Sequence, residues 1–191
     1  MDILGFGKIS IRTSPIRKIG LDTNISLAWF RNQKIERNHR PKIFNRNDAL
    51  YISYKVFGEL LYQIAKETGK SPEEARNEIF IFLRRNRINL LRKRDLQEKL
   101  FGINKILSDL RDQRKNFKEK PEDSDLEIIS IFYVAGMDCI FSSNYRHFEE
   151  PCKYLKIDYE RHFIIEIGSI QDVNRMLKNL YRPKRFFKKK R

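Results

Sequence analysis

Short apolar segments end on helix-capping residues and lead directly into helical periodicity. This punctuation constrains the fold more than any other feature of the chain. Residues 17–23, RKIGLDT, read as a strand centred on Ile19 and Leu21 that ends on Asp22, with Thr23 and Asn24 as capping types ahead of ISLAWF. Residues 50–53, LYIS, are β-prone, and Ser53 is placed to cap a helix in which Val56, Leu60 and Ile64 repeat at helical spacing until Gly69 stops it. Ser71-Pro72-Glu73-Glu74 starts another helix, with proline in its first turn and acids at its positive end. INLLR at 88–92 has the composition of a further strand, and residues 95–115 read as one helix from apolar spacing at Leu96, Leu100, Ile103, Ile106, Leu107 and Leu110. After Pro121, Asp123 or Ser124 is expected to cap a largely buried helix, LEIISIFYVAG; strands are expected at 138–142 and 162–167, and a last amphipathic helix at 170–181. Strands alternating with helices in this way predict an α/β sandwich around a central, mainly parallel sheet.

Bulk properties narrow the class. A chain of 191 residues suits one domain with appendages, read here as an extension over 1–16, a domain over 17–181 and a tail over 182–191. Two cysteines, Cys139 and Cys152, exclude a disulfide scaffold and a four-cysteine zinc site. No apolar run reaches the roughly 20 residues of a membrane span, and MDILGFGKIS lacks the basic-then-apolar order of a signal peptide. A cytoplasmic protein without membrane contact is therefore expected.

The formal charge of +15 points to a polyanion, most simply nucleic acid. Arg182, Lys184, Arg185, Lys188, Lys189, Lys190 and Arg191 carry seven of those charges within the last ten residues, leaving +8 for the rest. Such a block reads as an interaction tail, with Phe186 and Phe187 available to stack on bases. A second cluster, Arg84, Arg85, Arg87, Arg92, Lys93 and Arg94, brackets INLL and is a further candidate for RNA contact; a plain solvated helix face is the competing reading.

In parallel α/β sheets, reactive groups gather beyond the carboxyl ends of the strands. Asp22 ends the first strand, Glu59 lies in the helix after the second, Asp125 opens the buried helix, and Asn144 follows CIFSS. These four can converge at one sheet edge. Crowded carboxylates raise one another's pKa unless a cation compensates them, and an all-oxygen set suits Mg²⁺ or Mn²⁺ rather than zinc. Each has a plainer competitor: Asp22 as a helix cap, Glu59 as a solvated helix acid, Asp125 as a first-turn acid with Asp123 as the ligand instead. His39, His147 and His162 fit no metal spacing; His147 is the one of the three expected to approach the site or RNA, with a structural role as the favoured competitor, and Trp29 and Phe30 read as core.

Three stretches, IGLDTNI (19–25), LYISYKVFGELLYQI (50–64) and EDSDLEIISIFYVAGMDCIFSSNYRHF (122–148), resemble in order and spacing the successive signature segments of PIN domains. That family has a small α/β/α fold, and many members are metal-dependent ribonucleases, including VapC-type toxins. The resemblance covers roughly residues 17–168. It implies that Asp22 and Asp125 hold a Mg²⁺ or Mn²⁺ ion directly. Glu59 would bind it through water or position the attacking water. Asn144 stands where many members carry a fourth Asp and would orient water or a second ion. The resulting expectation is an endoribonuclease with RNA as substrate and DNA left open, and with an antitoxin or processing-complex protein and a second copy of the chain as further partners. The alternative is an RNA-binding or scaffolding PIN module with weak or no nuclease activity, a reading that Asn144 and the basic tail favour.

Overall fold

Strand β1 (Lys18–Leu21) lies at the centre of the protein, with Ile19, Gly20 and Leu21 all buried. The computed structural model describes residues 16–35, 41, 43–45 and 47–162. Within them β1 pairs on one side with β2 (Ala49–Ser53), which pairs with β3 (Ile88–Leu91), and on the other with β4 (Cys139–Ser142), which pairs with β5 (Asp158–Arg161). The strand order is β3-β2-β1-β4-β5, and every pairing is parallel. The connections are the helices α1 (Thr23–Ile35), α2 (Tyr54–Thr68), α3 (Pro72–Asn86), α4 (Leu100–Gln113), α5 (Asp123–Ala135) and α6 (Tyr145–Leu155). The chain runs from β1 outward to β3, then returns to the other flank of β1 for β4. The strand order therefore reverses between β1 and β4, and a crevice opens at the carboxyl edge at that point.

Local chemistry sets these boundaries as the sequence implies. Ser53 accepts from the Val56 backbone N–H to cap α2, and Gly69 ends that helix at φ 66°. Ser71 and Glu74 form a reciprocal capping box at the start of α3. Trp29, Phe132, Phe141 and Phe148 are fully buried, Trp29 with its ring 5.0 Å from Phe44 and 5.5 Å from Phe82. The core role expected of Trp29 and Phe30 holds.

Four elements differ from the sequence expectation. The helix expected over 95–115 is a 3-10 segment (Lys93–Lys99) followed by α4, and the tighter winding accompanies the seating of Leu96 in a small cluster with Ile103 and Ile131. Helix α5 starts at Asp123, one residue early, so Glu122 occupies the cap position, and its N–H donates to Asp125 Oδ2 at 3.2 Å. Helix α6 has no counterpart in the sequence expectation; Pro151 lies inside it, and Phe148, Pro151, Cys152 and Leu155 form its buried stripe. The fifth strand is Asp158–Arg161, ahead of the apolar stretch 162–167. As an edge strand it tolerates a charged sequence that a central strand would not. Residues 163–191, which include most of that stretch, the helix expected at 170–181 and the basic tail, lie outside the described residues, as do residues 1–15 of the extension.

Gly20 fixes how closely α5 approaches the sheet. A Cβ there would stand 2.7–2.9 Å from ring carbons of Phe132, which is fully buried. We expect Gly20→Ala to destabilise the protein by about 1–3 kcal/mol, the usual range for overpacking. The added variant Phe132→Leu should recover part of that loss in a denaturant titration. A Gly20→Ala midpoint equal to wild type would mean that the β1–α5 spacing is soft.

Candidate metal centre

Asp22 leaves β1 with its N–H donating to the Phe141 carbonyl of β4 at 3.0 Å, which draws the end of one strand against the next. Its carboxylate is buried and held on both oxygens. Oδ2 accepts from Ser142 Oγ at 2.7 Å and from Asn24 Nδ2 at 3.4 Å, and Oδ1 accepts from the Thr23 N–H at 2.7 Å. Ser142 ends β4, so the two central strands are tied at their carboxyl ends by one side-chain hydrogen bond. The same Ser142 Oγ accepts from the Asn144 N–H at 2.9 Å and so sets the loop into α6.

The other acids reach the crevice from helices. Glu59 on α2 accepts from Thr23 Oγ1 at 2.5 Å, so Thr23 links the first two acids. Asp125 on α5 receives His147 Nδ1 at 2.7 Å, and Asn144 Nδ2 stands 3.0 Å from the same imidazole nitrogen. Asp22, Glu59, Asp125 and Asn144 thus line one cleft of about 630 Å³, together with Thr23, Tyr54, Lys55, Gly58, Tyr62, Gln63 and His147.

The electrostatics follow from burial and crowding. Burial raises the Asp22 pKa to about 7; Ser142 and Thr23 pull it down, while the Asp125 and Glu59 charges push it further up. Glu59 is raised by burial, against the Thr23 hydrogen bond and the Lys55 charge. Burial likewise raises Asp125, with His147 opposing it. Lys55, the lysine that lines the cleft, is paired at 3.0 Å with Glu127. Among the described residues no three His, Cys, Asp or Glu side chains stand close enough together to ligate one ion. The donor chemistry nevertheless fits a hard divalent cation, because Asp22, Glu59 and Asp125 all offer oxygen and each carries a raised pKa that a cation would relieve.

Other sequence candidates fall elsewhere. Asp123 pairs with Arg111 at 3.0 Å and with Arg114 at 3.1 Å on the outer side of α5, so it is not the acid of the cleft. Asp138 accepts from the Lys18 N–H at 2.7 Å and holds the start of β1. Arg84, Arg85 and Arg87 lie where α3 gives way to β3, at the amino edge of the sheet and opposite the acids; Arg92, Lys93 and Arg94 follow β3 and so belong to the carboxyl edge. The seven tail cations lie outside the described residues. Sequence spacing gave no signal for His147 as the partner of Asp125, since 22 residues separate the two. Nor did it mark Gly58, a glycine inside α2 whose added Cβ would meet nothing within 4 Å among the described residues. Glycine in a helix interior costs about 1 kcal/mol relative to alanine, and packing does not require it here.

With its folded-state pKa raised above the unfolded value of 3.8 to about 7, Asp22 keeps a proton that the unfolded chain has released. Its contribution is fully retained below pH 4 and is lost as the pH climbs through 7. Metal-free wild type and Asp22→Asn should therefore match near pH 4 and diverge above it, the variant becoming more stable by up to about 4 kcal/mol at pH 8. Unfolding curves across that range test this; a constant difference would mean that Asp22 ionises without cost.

No protein-family model matches the chain, and no curated protein matches it in sequence. Solved structures do match in fold. A chain of VapBC2 from Rickettsia felis, solved bound to a DNA fragment from their promoter, superposes with a TM-score of 0.52 at 18% identity, over 75% of this chain and 98% of that one. A chain of VapBC-1 from nontypeable Haemophilus influenzae superposes with a TM-score of 0.51 at 16% identity, over 75% of this chain and 97% of that one. The five-stranded parallel sheet, its helical layers and these matches establish the architecture: the chain has the PIN-like α/β/α fold.

Proposed function

We propose that the protein is a divalent-cation-dependent endoribonuclease that hydrolyses RNA phosphodiester bonds in the carboxyl-edge cleft. The observation that carries this reading is the convergence of Asp22, Glu59 and Asp125, from three separate elements, on one cleft at the switch point of a PIN-like sheet. Asp22 and Asp125 would hold Mg²⁺ or Mn²⁺. When bound, that ion lowers the pKa of a water and neutralises charge on the phosphate oxygens. Ser142 and Thr23 fix the Asp22 carboxylate from behind, and His147 fixes Asp125, so both acids are oriented before substrate arrives. Glu59, freed from Thr23, orients the attacking water, and the Asn144 amide hydrogen-bonds at the edge of the set.

The net charge of +15 supplies long-range attraction for RNA, and Arg92, Lys93 and Arg94 place part of it at the same sheet edge as the acids. The fold is shared with chains of VapBC complexes, which supports a protein partner of the antitoxin kind. Asn144, an uncharged group beside the acids, together with their spacing, favours a second reading: an RNA-binding module with weak cleavage.

Cleavage of single-stranded and structured RNA beside matching DNA, with Mg²⁺, Mn²⁺ or EDTA, separates the two. Wild type should cut RNA only with added metal, and Asp125→Asn should lower the rate at least about a hundredfold while the fold persists, because it removes an anionic ligand. Asn144→Asp should strengthen stimulation by Mn²⁺. Binding without metal-dependent cleavage would select the second reading, and undiminished cutting by Asp125→Asn would place the chemistry elsewhere.

A further inference from the structure

Tyr62 is a large aromatic side chain left 63% exposed while lining the cleft that holds the acids. It lies on α2, three residues beyond Glu59 and therefore nearly one turn along the same helix face. Helical side chains lean toward the preceding turn, and the residue one turn before Tyr62 is Gly58, which also lines the cleft. The ground in front of the ring is thus bare helix backbone. Lys66, one turn after, brings its ammonium to 5.8 Å from the ring centroid. A flat, exposed ring with open floor ahead of it and a cation at hand has the form of a stacking site. The ligand it fits must be planar, present a π-face and carry negative charge nearby.

We propose that Tyr62, with Gly58 as floor and Lys66 as the adjoining cation, is a stacking shelf for one unpaired nucleobase of a single-stranded RNA. This deepens the proposed function and rests on it, because it assigns the substrate of the same cleft. Stacking accepts any base and hydrogen-bonds none, so the shelf selects for single-strandedness rather than for sequence. A base held inside a duplex cannot present its face to the ring. The shelf also sets a register: a base on Tyr62 leads the backbone toward Glu59 and its neighbouring acids, where the proposed cation would meet a phosphate. Lys66 favours the phosphate that flanks the stacked base.

The test uses the full-length protein in EDTA, so that binding is read without cleavage, and single-stranded RNA oligonucleotides with 2-aminopurine at successive positions. Wild type should quench the fluorophore at one position. Tyr62→Ala should abolish that quenching and weaken binding about tenfold, the usual cost of losing one aromatic–base stack. Tyr62→Phe should retain both, since the ring and not the hydroxyl acts. Gly58→Leu fills the floor and should also abolish quenching, with Tyr62 still present and the helix undisturbed. Affinity for duplex RNA should not change in Tyr62→Ala. Quenching and affinity equal to wild type in both Tyr62→Ala and Gly58→Leu would overturn the shelf. Tyr62-dependent quenching in a protein that never cleaves with metal would uphold the shelf and overturn the nuclease reading. Absence of single-stranded RNA binding by wild type, in EDTA and in Ca²⁺ alike, would overturn both.

Discussion

The hydrogen bond from Ser142 to Asp22 joins the ends of the two central strands, and much of the site's geometry depends on it. Ser142 closes β4 and Asp22 follows β1, so their contact fixes the strands' relative height where the sheet order reverses. The same serine oxygen holds the backbone of Asn144, and the same aspartate turns the chain into α1 through the Thr23 N–H. A buried carboxylate accepting several hydrogen bonds is rigid, and rigidity at this point passes to every group packed around it. The arrangement costs stability because the charge is desolvated beside two other acids. That cost sits where a bound cation would remove it, as expected of a site organised for binding rather than for folding.

The supporting layers make that placement possible. Gly20 lets the Phe132 ring lie directly on β1, which brings α5 close enough for Asp125 to share the cleft with Asp22. The Ser53 cap starts α2 immediately at the end of β2, so Glu59 and Tyr62 emerge over the same sheet edge one and two turns later. Acids, aromatic ring and basic residues are thus distributed over one edge by strand direction alone. Arg84, Arg85 and Arg87 fall at the other edge for the same reason: they precede β3 instead of following it.

The parts of this legible in the sequence were those governed by local chemistry. The Ser53 cap, Gly69 and the Ser71–Glu74 box announce helix ends within a few residues, and the structure places each as expected; LDTN announces the end of β1, but α1 already begins at Thr23, so Asp22 rather than Thr23 or Asn24 stands at its cap. The convergence of Asp22, Glu59, Asp125 and Asn144 followed from their positions after successive strands, and the cleft contains all four. Long-range partnerships were not legible. His147 meets Asp125 because α6 folds across α5, a helix with no counterpart in the sequence expectation although its apolar stripe was present; the sequence singled out the histidine but not its partner. The break before α4 depends on Leu96 seating against Ile131, a contact no periodicity encodes. The split of the internal arginine cluster between opposite edges is likewise a consequence of strand direction, invisible in a run of charges.

The central claim is that the buried Asp22 and its two neighbouring acids form a cation site. Calorimetric titration of Mn²⁺ into the full-length protein at pH 7, repeated in buffers of different ionisation enthalpy, tests it most directly. Because burial pushes the Asp22 pKa up to about 7, ion binding near that pH should expel protons, and Asp22→Asn should lose both the proton release and most of the affinity. Saturable Mn²⁺ binding without proton release, or binding unchanged in Asp22→Asn, would contradict the account.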